Sequence, residues 1–154
     1  MNPRAAQRNP PARLARVRFY FDADVLGVAR VIARLRSDVT YPGDPGATIH
    51  KRDRPPCPIT DPATLDRIWM PAVAERDWLI IPRDSRIQDH RAEVAAVRDK
   101  GAKMIALTGK DARNTWQQLE VVMSQWRRIE GLADVAGPFI WRATRTSLGR
   151  VRLD

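Results

Sequence analysis

The chain has little with which to cross-link itself or hold a soft metal. Its 154 residues include one cysteine, Cys57, and two histidines, His50 and His90. A single cysteine excludes an intramolecular disulfide, and so small a Cys/His set argues against a zinc site. Histidine general bases and cysteine nucleophiles have no convincing candidates. No apolar run approaches the length of a membrane span, so no membrane is expected among the partners. The basic N-terminus is followed by no apolar h-region, so no signal peptide is expected and the cytoplasm is the expected compartment. Acid is also scarce: 18 Asp and Glu stand against 27 Lys and Arg, a net charge of +9. That balance suits a polyanion, nucleic acid before a membrane surface. Arginine used simply as surface polar filler gives the same balance.

What is present describes a globular chain, 44% hydrophobic and 29% charged, long enough for one domain with a real core. Residues 1–16 carry Pro3, Pro10 and Pro11 among Arg4, Arg8, Arg13 and Arg16 without apolar period, which reads as a flexible basic arm before a domain over 17–154. Val17–Phe21 reads as a strand. Val25, Leu26, Ala29, Ile32, Ala33 and Leu35 then recur at helical spacing to about Ser37, with Arg30, Arg34 and Arg36 on the other side. Asp38–Tyr41 is a short second strand. Eight prolines and glycines over 42–62 predict a long loop, which also carries His50, Lys51, Arg52 and Arg54. Asp61-Pro62 reads as an N-cap with proline at the first helical position, opening a helix to about Arg76 that Pro71 must kink or split. Trp78–Ile81 is a strand, 89–100 a helix ended by Gly101, and Lys103–Leu107 a strand. Asp111 is the expected cap of a helix whose stripe is Trp116, Leu119, Val122, Met123, Trp126 and Ile129, a core pattern. Pro138–Ala143 and Arg150–Leu153 read as a C-terminal β-hairpin around Ser147-Leu148-Gly149. Alternation of strands and helices predicts an α/β fold: a mostly parallel central sheet flanked by helices, a Rossmann-like three-layer sandwich.

The chemistry concentrates where apolar strands stop on aspartates. Phe19-Tyr20-Phe21 runs into Asp22-Ala23-Asp24, and Trp78-Leu79-Ile80-Ile81 runs through Pro82-Arg83 into Asp84. In open α/β sheets the active crevice lies at the carboxyl ends of the strands. Asp66 and Asp61 lie on the helix just before the second of these strands. Several carboxylates in one cleft need a counter-charge, and Mg²⁺ or Mn²⁺ is the natural one, being hard, oxygen-seeking and compatible with phosphate. Arg83, Arg86 and Arg91 flank Asp84 and could hold neighbouring phosphates, as could Lys51, Arg52 and Arg54 in the loop. Taken singly, Asp24 or Asp61 is accounted for as a helix cap, and Asp84-Ser85 as turn chemistry. The pair Asp22 and Asp84, each ending an apolar strand, is not.

Three stretches together, Phe21-Asp22-Ala23-Asp24-Val25-Leu26, Asp66-Arg67-Ile68-Trp69-Met70-Pro71 and Trp78 through Ile87, resemble the PIN-like domains related to VapC-type toxins. The Trp116–Trp126 helix and the segment from Gly137 to Leu153 are similar to a bacterial subgroup of that family. The resemblance implies a PIN-like fold and a Mg²⁺-dependent ribonuclease, often the toxin of a type II toxin–antitoxin pair held by a cognate antitoxin and often dimeric. Residue by residue, it makes Asp22 the first metal-binding acid, Asp66 the helix acid and Asp84 the acid after the later strand. The chain departs from the family in having Pro82 where Thr is usual, and in offering only Asp24 or Asp44 in place of the usual second acid, a glutamate. Two other readings compete. One is a PIN-like module with an incomplete, inactive acidic site that binds RNA or protein. The other is a haloacid-dehalogenase-like phosphatase with Asp22 as nucleophile and Asp24 as general acid.

Overall fold

The structure is a computed structural model that describes residues 11–84 and 90–154. Its centre is a seven-stranded sheet with the order β10-β9-β8-β6-β2-β3, with β7 pairing β8 beyond the end of β6. The strands are β2 (Phe19–Phe21), β3 (Val39–Thr40), β6 (Leu79–Ile81), β7 (Arg83–Asp84), β8 (Lys103–Thr108), β9 (Phe139–Ala143) and β10 (Leu148–Val151). All pairings are parallel except that of β9 with β10, which closes the chain as an antiparallel hairpin. The expected α/β sandwich is therefore the observed one.

Alternation along the strands builds two apolar layers. Phe19, Phe21, Leu79, Ile81, Ile105, Leu107 and Phe139 face helices α1 (Leu26–Ala33) and α4 (Thr115–Leu132). Tyr20, Ile80, Met104 and Ile140 face α2 (Asp66–Glu75) and α3 (His90–Lys100) through Trp69, Met70, Val73 and Val97. A strand buried on both faces is apolar at nearly every position, which is why β2, β6 and β8 read so plainly; the buried Lys103 that opens β8 donates to Ala133 C=O.

Several boundaries differ from expectation. The 42–62 stretch is not a structureless loop: β4 (Ala47–Ile49) and β5 (Arg52–Arg54) form an antiparallel hairpin there. Its turn residues His50 and Lys51 both take positive φ, 49° and 62°, the geometry that favours two-residue hairpin turns and is usually supplied by Asn-Gly. From the end of the expected basic arm, β1 (Arg13–Leu14) pairs in parallel with β5 and makes a second, three-stranded sheet. Residues 1–10 lie outside the described residues. Asp61 does not open α2: it accepts from Ala63 N–H at 2.8 Å in a preceding turn, and Pro71 sits inside a helix that continues to Glu75. Asn114, not Asp111, caps α4, accepting from Gln117 N–H at 2.9 Å. Leu148 and Gly149 belong to a strand rather than to a turn.

Candidate metal and active site

Phe21 at the end of β2 lies opposite Ile81 at the end of β6, and Asp22 N–H donates to Ile81 C=O at 3.0 Å. There the chain turns into a single 3₁₀ turn over Ala23–Val25, and the Asp22 carboxylate caps it by accepting from Ala23 N–H at 2.6 Å. The capping role thus falls to Asp22, not to Asp24. Asp24 reaches the neighbouring strand end instead and accepts from Arg83 N–H at 3.2 Å.

That donor is available because of the residue before it. Pro82 has no N–H to give the ladder, so the strand breaks into β6 and β7, while Pro82 C=O still receives Leu107 N–H at 2.9 Å. Beyond the break, Arg83 and Asp84 pair with Leu107 and Thr108. The Asp84 backbone therefore stands at the carboxyl end of the sheet, one strand further along from Asp22. Its side chain is not among those described.

Asp66 enters from another element, the first turn of α2, where Trp69 Nε1–H donates to its carboxylate at 2.9 Å. The electrostatics tie these acids together. Burial first, and then the charge of Asp24 and to a lesser extent that of Asp66, push the Asp22 carboxyl up to about 7, against the hydrogen bond from Ala23. Asp24 is exposed as a residue, but its carboxylate is drawn in toward Arg83. Burial raises it to about 6 despite that hydrogen bond, with Asp66 and Glu93 adding to the rise. Glu93, in the first turn of α3, is an acid that the sequence reading passed over. Its only signal was its place one turn into the helix that follows the Asp84 strand.

No bound ion is part of the structure, so the fit of a metal rests on the donor set. Among the described residues, no three acidic, histidine or cysteine side chains stand together as a ready-made metal cage. The chemistry of the donors nevertheless fits a hard divalent cation. They are the carboxylate oxygens of Asp22 and Asp24 just past the end of β2 and of Asp66 in α2, whose charge raises the affinity of both Asp22 and Asp24 for positive charge.

The basic residues divide. Lys51 and Arg52 are exposed at the tip of the β4–β5 hairpin and in β5. Arg54, expected to bind nucleic acid, is buried with 5% of its surface exposed. Its Nε donates to Asp44 at 2.6 Å and its Nη1 to the carbonyls of Ala33 and Arg36 at 3.0 and 3.1 Å. Arg54 is part of the framework, and so is Asp44, which also accepts from Thr40 Oγ1–H and Gly46 N–H. Arg54 cannot serve the surface role expected of it, nor Asp44 the part of the second metal-binding acid. The hairpin is anchored at the C-terminal end of α1, whereas Asp22 and Asp24 precede its N-terminal end. Arg83 is half-buried, and its Nε has no partner among the described residues. Arg86 lies outside the described residues, and nothing is described of the Arg91 side chain. The Thr108 hydroxyl donates to Ala143 C=O at 3.2 Å and fastens β9.

Strand order and helices on both faces describe a mostly parallel α/β sandwich, with Asp22, Asp24 and the backbone of Asp84 at the carboxyl end of its sheet. A family model described as a PIN-like domain matches residues 18–109, more than half of the chain, including Asp22, Asp24, Asp66 and Asp84. The chain belongs to the PIN-like domain family. No curated protein and no solved structure matches it.

Proposed function

We propose that the protein is a divalent-metal-dependent endoribonuclease whose metal-holding and catalytic acids are Asp22, Asp24, Asp66 and Asp84. What supports this reading is that Asp22 and Asp24 follow the end of β2, that the backbone of Asp84 stands at the end of the adjacent strand, and that the charge of Asp66 is felt at both Asp22 and Asp24. Membership in a family of nuclease-type fold supports it, and the net charge of +9 suits an RNA substrate. Mg²⁺ or Mn²⁺, when bound, supplies a lowered water pKa and charge neutralisation at phosphate oxygens. The chain's part is positional. Ala23 N–H and Arg83 N–H aim the Asp22 and Asp24 carboxylates, Trp69 aims that of Asp66, and the half-buried Arg83 guanidinium offers a phosphate contact.

The same reading makes the protein the toxin of a type II pair, working in the cytoplasm as a dimer or held by a cognate antitoxin. The phosphatase alternative loses its footing with the family, since nothing after Lys110 supplies the further acidic pair that it needs. An inactive PIN-like binding module remains the rival.

Calorimetric titration of Mn²⁺, followed by a mixed RNA substrate in the same samples, separates the two. Wild type is expected to bind the ion and cleave, while Asp22→Asn and Asp84→Asn lose cleavage and keep their circular dichroism. Wild type that binds no ion and leaves RNA intact would make the acids caps and turn formers.

A further inference from the structure

Away from the acids, a cavity of about 250 Å³ opens between the second half of α1, the end of β3 and the β4–β5 hairpin. Arg30 of α1 and Arg34, the residue that caps its C-terminal end, stand on its rim, Tyr41 forms one wall, and Ile49 and the Asp44–Arg54 pair line the rest. Its charge can be counted. Asp44 and Arg54 neutralise each other at 2.6 Å. The remaining Asp44 valences are taken by Thr40 and Gly46, so Asp44 cannot receive a cation. Arg30 and Arg34 are exposed and have no acidic partner among the described residues. They lie at i and i+4 on one helix face, where like charges repel. The cavity therefore presents two uncompensated guanidinium groups beside a half-buried aromatic ring.

A nucleotide needs that combination: positive charge for its phosphate and a ring face for its base. We infer that this cavity is a subsite for one nucleotide of a single-stranded RNA, with its phosphate on Arg30 and Arg34 and its base against Tyr41. The inference rests on the ribonuclease reading only for the choice of RNA. The subsite lies at the opposite end of α1 from Asp22 and Asp24. At 1.5 Å of rise per residue, the helix separates them by about 12 Å, a span that a strand crosses in a few nucleotides. The cavity would then hold the strand at a fixed remove from the acids.

The test is binding rather than cleavage, so it survives failure of the catalytic assignment. Fluorescence anisotropy with a labelled oligouridylate in EDTA is read against salt for wild type, R30A/R34A and Tyr41→Leu, with R127A/R128A on α4 as a charge-matched control. Circular dichroism confirms that each is folded. R30A/R34A is expected to weaken binding at least tenfold and to flatten the slope of log K against log salt by about 0.7, the value for one phosphate on a single strand. Tyr41→Leu is expected to weaken binding about tenfold with the slope unchanged. Unchanged binding in R30A/R34A, or an equal loss in R127A/R128A, overturns the subsite in favour of diffuse attraction. A free mononucleotide that binds wild type but fails to compete with the oligonucleotide overturns the strand reading in favour of a small-molecule site.

Discussion

Asp22 keeps a proton at pH values where an ordinary aspartate has already lost it. With its carboxyl raised from 3.8 to about 7, the folded chain binds a proton between those limits that the unfolded chain releases. Stability contributed by this group is therefore full below about pH 4, falls as pH rises toward 7, and is level above. Asp24, also raised but exposed to solvent, adds little to it. The metal-free protein should melt lower at pH 7.5 than at pH 5, on the order of 5 °C at 2–4 °C per kcal/mol, and Asp22→Asn should flatten the profile. A wild-type melting point that climbs over this range would refute the burial of that carboxylate. Added Mg²⁺ should raise the melting point more at pH 7.5 than at pH 5, because the cation takes the proton's place. Asp22 was legible as a strand-end acid because an apolar strand stops on it. Arg54 was misread for an equally physical reason: in a proline-rich stretch a solvated arginine and a buried one look alike. Truncating it strands Asp44, 1% exposed in its side chain, without its cation. Arg54→Ala should cost about 3–5 kcal/mol in urea unfolding.

At the scale of the element, α4 shows a stripe legible in part: Leu119, Val122, Trp126 and Ile129 face the core as expected, and the other two do not. Trp116 and Met123 are 71% and 66% exposed, while Gln118 and Gln125 are buried beside Val121, Val122 and Ile129. Hydrophobicity counts a glutamine as solvent-facing, yet a buried amide is stable when its hydrogen bonds are made. Gln118 Nε2 donates to Ala112 C=O at 3.1 Å, and Gln125 Nε2 donates to Thr144 C=O at 3.0 Å, fastening the helix to the 3₁₀ turn before it and to the C-terminal hairpin. The helix starts where Asn114 satisfies Gln117 N–H, so Asn114→Ala should lower stability by about 1 kcal/mol. Asp111→Ala, at the cap expected from sequence, should leave it unchanged by that mechanism, and equal losses in the two would overturn the assignment. At its N-terminal end α4 also crosses α1 closely: a Cβ on Gly27 would collide with Thr115 Oγ1. A sequence shows such a glycine only as a weak point in a helix.

For the molecule as a whole, the parallel sheet was legible because strands buried on both faces leave an unbroken apolar trace. The small sheet was not, because its strands are short, charged and joined by His50-Lys51 rather than by a glycine turn. Two- and three-residue strands at the margin of a domain are ordinarily the first to fray. Here Arg54, the last residue of β5, reaches through Asp44 to the loop before the hairpin and through Ala33 and Arg36 to the end of α1. The C-terminal carbonyls of a helix are orphans of its own ladder; here Ile32 C=O accepts from Leu35 and Arg36 N–H, while Ala33 C=O takes its donor from Arg54 of the hairpin. Opening the small sheet thus uncaps a helix of the large one, so the two should exchange their amide hydrogens as one cooperative unit. In native-state exchange, the amides of β4 and β5 should be lost with those of the last turn of α1. In Arg54→Ala they should uncouple, with the hairpin exchanging first. The margin of this domain is held by an ion pair in place of apolar contact, and its exchange behaviour is set by one guanidinium.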